Sequence, residues 1–174
     1  MATLRKGKCY RKVVRAYTRK SKFRKKGFIK TVPNIKIARF NMGDPKKKFS
    51  HRVILYSKEK VQMRHNAIES CRQIVNRNLV KKTGGPKNYY FHVNIYPHHV
   101  LRENKMLTGA HADRLQSGMA HSFGKTMGTA AQLKKGSTIF TIHVDENHVQ
   151  IAKDALKKAY PRLAGRFGIE IKNN

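Results

Sequence analysis

The chain has 174 residues, 39% of them apolar, and carries 39 Lys and Arg against 9 Asp and Glu for a formal net charge of +30. That length and apolar share allow a domain with a real core, while so much self-repelling charge calls for a polyanionic partner, of which nucleic acid is the abundant one. No run approaches the roughly 18 apolar residues of a spanning helix and no apolar signal region opens the sequence, so a cytosolic or nuclear protein without a membrane partner is expected. The two cysteines, Cys9 and Cys71, form neither a disulfide framework nor a metal spacing and are read as reduced thiols.

The charge is concentrated at the N-terminus. Residues 1–48 hold 18 Lys and Arg and a single acid, Asp44. Residues 1–32 are read as a basic arm in which the cations Arg5, Lys6, Lys8, Arg11, Lys12, Arg15, Arg19, Lys20, Lys22, Arg24, Lys25 and Lys26 alternate with the rings Tyr10, Tyr17, Phe23 and Phe28. Alone in water such a segment cannot bury enough apolar area to offset chain entropy and is expected to be extended or disordered. Against RNA its cations neutralise phosphates and its rings stack on unpaired bases. A localisation signal or a solvated tail is the plainer alternative, but the recurring aromatics exceed what an address label needs.

Residues 33–174 are expected to form a single α+β domain. Ile35, Ile37 and Phe40 suggest a short strand before the turn at Met42-Gly43-Asp44-Pro45. Val53 to Tyr56 reads as a buried strand, with Ser57 placed to cap a following helix over 58–80. The helical stripe is Val61, Ile68, Cys71, Ile74, Val75 and Leu79, and Thr83-Gly84-Gly85-Pro86 ends it. Tyr89, Phe91, Val93 and Ile95 alternate with Tyr90, His92, Asn94 and Tyr96, the pattern of a strand with one face buried. A second unit follows: a strand at Ile139 to Val144, then a helix capped by Asp145 or Asn147. That helix is lined by Val149, Ala152, Ala155, Leu156 and Ala159 and closed by Pro161, and a last strand falls at Ile169 and Ile171. Two such units predict a two-layer sandwich, a mixed or antiparallel sheet with two helices on one side. The helix faces are basic, with Arg64, Arg72 and Arg77 on the first, and mix few acids with their cations.

Between the units lies an insert of about 102–136 that shows no strand and no long helical period, rich in Gly, Met and Ala, with a short helix suggested at Ala110 to Met119. A connection this long is a functional loop or a disordered one. Neither it nor the rest of the chain shows a nucleophile elbow, metal-ligand spacing or paired carboxylates, so no catalytic residue, metal or cofactor is predicted. Gly124-Lys125-Thr126 looks like the end of a phosphate-binding loop, but Met119 stands where that loop needs its first glycine. Two other readings stay open on the residues alone: a free RNA- or DNA-binding module, and an enzyme acting on RNA.

One long stretch resembles a known family. Pro97-His98-His99-Val100-Leu101-Arg102-Glu103-Asn104-Lys105-Met106, Gly109-Ala110-His111-Ala112-Asp113-Arg114-Leu115-Gln116, Gly118-Met119, Phe123-Gly124-Lys125 and Gly128-Thr129-Ala130 are similar to the signature of the large-subunit ribosomal protein L-ten-e of archaea and eukaryotes, whose bacterial counterpart is L-sixteen. Agreement extends to Ala16-Tyr17-Thr18-Arg19, Ile35-Lys36-Ile37-Ala38 with Met42-Gly43, Val61-Gln62-Met63-Arg64-His65 and Ala159-Tyr160, so it covers almost the whole chain. The resemblance implies an α/β-hammerhead variant of the fold and a cytoplasmic place in the large ribosomal subunit. The implied partners are large-subunit rRNA beside 5S rRNA, neighbouring ribosomal proteins, and tRNA at the peptidyl-transferase region. It adds His65 to the rRNA-binding set and implies that a central loop, here Lys105, Met106, Gly109, Ala110, His111, Asp113, Arg114, Gln116, Gly118 and Lys125, reaches toward tRNA acceptor ends. The end soon after Ile171, without the eukaryotic extension, suggests an archaeal form. His111, Ala120 and Gln132 depart from residues common in the family.

Overall fold

The computed structural model describes residues 6–13, 23, 25, 29, 31–104 and 124–173. The strands are β1 (Asn41–Gly43), β2 (His51–Ser57), β3 (Val61–Arg64), β4 (Tyr89–Val93), β5 (His99–Glu103), β6 (Lys125–Leu133), β7 (Thr138–Val144) and β8 (Phe167–Asn173). Two helices of eight residues or more join them among the described residues, α1 (His65–Thr83) and α2 (Val149–Lys157). They form two antiparallel sheets, one of five strands in the order β1-β4-β7-β2-β8 and one of three in the order β3-β6-β5. This is the α+β class the sequence predicts, with a second sheet added.

The five-stranded sheet is organised by its register. Phe91, Ile142 and Val53 lie opposite one another on β4, β7 and β2, and Val93, Phe140 and Leu55 form the next row. All six are essentially inaccessible, and Phe91 meets Phe140 edge to face at 5.4 Å. The stripe Ile68, Cys71, Val75 and Leu79 on α1, and Ala152, Ala155 and Leu156 on α2, join these rows in one core. At about 25 cal/mol per Å² of apolar surface, each fully buried Leu, Ile or Phe contributes roughly 1.5–3 kcal/mol, so this face anchors the fold.

Four local expectations change. The helix begins at His65 and not after Ser57, whose hydroxyl donates to the Glu59 carbonyl while its N–H donates to that of Ser137. Val61 and Met63 belong to β3, paired with Leu133 and Ala131 of β6. Val61 and Ile68 share helical spacing, and only pairing with β6 distinguishes the two structures. Residues 35–40 form no strand: the Lys36 and Ala38 N–H groups donate to His65 Nδ1 and Glu69 Oε2 on α1, and the strand forms further on, at β1. Asp145 does not cap α2. Its carboxylate takes Lys47 Nζ at 2.9 Å, a 3-10 turn over Glu146–His148 intervenes, and the residue before α2 is His148, with no side-chain cap.

The fourth change concerns the insert, which holds the end of β5 and the whole of β6. β5 pairs with β6 from His99↔Ala130 to Glu103↔Lys125, and β6 is the central strand of the small sheet. Gly128, Ala130 and Ala131 carry little intrinsic strand preference. They are buried where β6 runs between two partners and close to α1, and small side chains permit that approach. The proposed helix at 110–119 lies outside the described residues.

Candidate nucleic-acid interface

β3 is an edge strand, and an edge exposes unpaired backbone groups unless something covers it. Here the N-terminal segment covers it. After a 3-10 turn at Gly7–Tyr10, the Arg11 carbonyl accepts the Gln62 N–H at 2.9 Å and the Tyr10 carbonyl accepts Gln62 Nε2 at 2.8 Å. Gln132 on β6 donates in turn to Gln62 Oε1 at 3.0 Å, so the departure at 132 belongs to this network. The Arg64 guanidinium lies 5.8 Å from the centroid of the Tyr10 ring, a cation–π distance.

This docking shapes a cleft of about 110 Å³ whose walls include Arg11, Gln62, Arg64, Ala67 and Arg162, with Gly7 at its rim and no acidic residue in its lining. Arg64 is also the residue preceding α1, whose first turn has no acid. Three arginines and the first turn of a 19-residue helix, the positive end of its dipole, therefore line the same space. Arg162 comes from the 3-10 turn after α2 and is steadied by donating Nη1 to Ser70 Oγ.

The residues predicted to bind RNA fall into three groups. Lys6, Lys8, Arg11, Lys12, Lys25 and Arg77 are exposed, and Arg64 is half-buried in the cleft. Two others are interior. Arg72 is 9% exposed, with Nε and Nη2 donating to the two Glu69 oxygens at 2.7 and 2.6 Å and Nη1 reaching Met42 Sδ at 3.2 Å. His65 is 4% exposed and accepts the Lys36 N–H. Both were expected on a surface. Helical spacing shows which residues share a face, but not which face the chain over 35–40 covers. Arg5, Arg15, Tyr17, Arg19, Lys20, Lys22, Arg24 and Lys26 lie outside the described residues.

The loop set Lys105, Met106, Gly109, Ala110, His111, Asp113, Arg114, Gln116 and Gly118 lies outside them too. Its last member, Lys125, is exposed as the first residue of β6, opposite Glu103. The sequence reads Tyr10 as one of the arm's stacking rings and not as the partner of Arg64, and neither Gln62 nor Arg162 is among the predicted contacts. Gln62 was obscured by its neighbours in an apparent helix, and Arg162 stands about 100 residues away from Arg64, so no local pattern links them.

Among the described residues no group of three or more His, Cys, Asp or Glu side chains is placed to hold a metal ion, and no helix is long and apolar enough to cross a membrane. An α+β scaffold thus carries an acid-free arginine cleft beside a basic segment docked along a sheet edge, an arrangement whose charge is complementary to a polyanion. The chain belongs to the family described as Ribosomal protein L16p/L10e, whose model matches residues 17–170. It is 45% identical over 170 residues, 97% of this chain and 92% of the relative, to the large ribosomal subunit protein uL16 of Saccharolobus solfataricus. It is 46% identical over 162 residues, 92% and 89% of the two chains, to the protein of that name from Metallosphaera sedula.

Proposed function

We propose that the protein is a structural constituent of the large ribosomal subunit, working in the cytoplasm and held on large-subunit rRNA near 5S rRNA among neighbouring ribosomal proteins. The observation that carries this is the cleft of Arg11, Arg64 and Arg162, formed where the N-terminal segment docks, in a chain of this family whose charge is concentrated toward that terminus. Guanidinium groups match phosphate oxygens bidentately, and the dipole of a helix start favours the same anion. Residues 1–32 act as the anchoring arm and residues 33–174 as the domain it serves. Arg77 and the exposed cations of the arm add phosphate contacts, whereas Arg72 and His65 support the fold beneath them.

The central loop has a separate task. β5 and β6 form a stem whose loop-side end is the pairing of Glu103 with Lys125, and the task assigned to residues 105–118 is contact with tRNA acceptor ends in the aminoacyl-tRNA cleft. That loop carries fewer charges than the arm, which suits close backbone approach better than phosphate gripping. The test is cosedimentation with large subunits after a high-salt wash. Deleting residues 1–30 is expected to weaken incorporation, whereas shortening 105–118 leaves incorporation intact and impairs tRNA use. Equal loss of incorporation from both changes would refute this division.

A further inference from the structure

The five-stranded sheet has a second face, opposite the one the helices cover. Cross-strand partners share a face, so the register places Tyr90, His143 and Arg52 in one row across β4, β7 and β2, with Lys172 next on β8. The neighbouring row holds Asn41, His92 and Thr141. Tyr90, His92, His143 and Arg52 are partly exposed, while the residues alternating with Tyr90 and His143 form the core.

The rings on this face form a patch. Tyr90 lies 5.5 Å from His143 and 6.3 Å from His92 between centroids, with interplanar angles of 36° and 25°. Asn41 positions two of them, since its Oδ1 accepts the Tyr90 hydroxyl at 3.0 Å and lies 2.5 Å from His92 Nδ1. Burial, with the charge of Arg52 and then His92, holds the His143 imidazole below its ordinary value of 6.5, so it is a neutral ring at neutral pH. The cations of these rows are Arg52 and Lys172; Glu170, at the far end of the neighbouring row, is paired with Lys172 at 3.2 Å, and Asp145, two residues after His143, is paired with Lys47 at 2.9 Å. Rings give a base its π-face and cations draw its phosphate, which is the chemistry of a single-stranded RNA platform.

We propose that the outer sheet face of Tyr90, His92, His143 and Arg52 is a second RNA-contact surface, on which unpaired bases of single-stranded RNA stack. It lies apart from the arginine cleft and rests on the reading of the protein as RNA-bound. A second copy of the chain would satisfy the rings but not the repulsion of a face that carries Arg52 and Lys172 on a protein of net charge +30.

The sequence has no tryptophan, so Tyr90→Trp in the full chain places a single reporter on this face. Its emission is expected to be quenched by a labelled oligoadenylate about ten nucleotides long and left unchanged by inorganic polyphosphate. Tyr90→Ala is expected to weaken oligoadenylate binding by roughly 5- to 150-fold, the range for losing one stacked base, with Tyr90→Phe close to the parent and polyphosphate binding equal in all. Unchanged tryptophan emission while the labelled RNA saturates would overturn the platform and leave the cleft intact. Failure of the parent to bind any RNA would overturn the functional reading as well. A concentration-dependent dimer that Tyr90→Ala dissociates would assign the face to a second copy and overturn the proposal.

Discussion

Arg72 keeps its charge at 9% exposure because Glu69 lies three residues earlier on α1 and takes its guanidinium with both carboxylate oxygens. Gln73 Nε2 and the Ala38 N–H complete the acceptor capacity of Glu69, so the pair ties α1 to the segment leading into β1. Breaking such a pair leaves a charge buried without its partner. Glu69→Ala is therefore expected to lower the unfolding free energy by about 3 kcal/mol in denaturant titrations, and a loss under about 1 kcal/mol, typical of surface pairs, would show that solvent screens it. The hydrogen bond from Arg72, with smaller help from Gln73 and Ala38, holds the Glu69 carboxyl below its ordinary 4.5. That contribution is complete above 4.5 and is lost as pH falls through the lower folded value.

His65 works in a different window. Burial first, then the charges of Lys36 and Arg64, hold its imidazole below 6.5, so the unfolded chain takes up the proton before the folded one does. Stability from His65 is complete above 6.5 and fades as pH falls through the lowered value. Unfolding free energy is expected to be smaller at pH 5 than at pH 7.5, and His65→Asn, which keeps an acceptor for Lys36, is expected to flatten that slope; an unaltered slope contradicts it. Burial also pushes the Cys71 thiol up to about 12, while Cys9 is exposed. Iodoacetamide at pH 7.5 should modify Cys9 alone in the folded protein and reach Cys71 only on unfolding; mass spectrometry of the labelled chain settles which.

At the scale of elements, two glycines with positive φ show how context sets the cost of a side chain. Gly43 ends β1 at φ 87°, and a Cβ there would sit 2.1 Å from the Tyr89 carbonyl oxygen, the acceptor of the Asp44 N–H. Gly136, in the turn between β6 and β7, has φ 84° with nothing within 4 Å of the same added atom. Gly43→Ala is expected to cost about 2 kcal/mol or more, from both the conformation and the clash. Gly136→Asn, with the residue that best tolerates this conformation, is expected to cost under about 1 kcal/mol. Equal losses in thermal or denaturant unfolding would mean that φ alone sets the cost. Asn41, which positions Tyr90 and His92, lies two residues before Gly43 on the same strand.

For the whole molecule, a net charge of +30 makes association with RNA steeply salt-dependent. If six or more phosphates are neutralised, affinity for an rRNA fragment should fall on the order of 10³ or more between 50 and 200 mM salt. Arg64→Gln is expected to weaken binding evenly across RNA sequences and to reduce the log–log salt slope by about 1, as for loss of one phosphate contact. A slope unchanged from the parent would remove Arg64 from the interface.

The sequence by itself determined the α+β class, the buried strands β2, β4 and β7, the apolar stripes of both helices and the concentration of charge near the N-terminus. Each of these is periodicity or composition, a property of residues close together in the chain. The tertiary structure decided that Val61 and Met63 lie in a strand, that Gly128, Ala130 and Ala131 form the middle of a sheet, and that Arg72 is sealed against Glu69. It also brought Arg162 to Arg64 and set Tyr90 beside His143. The physical reason is common to these cases. Short segments with weak intrinsic preference take the conformation their pairing partners supply, and those partners lie too far along the chain for any local pattern to show them.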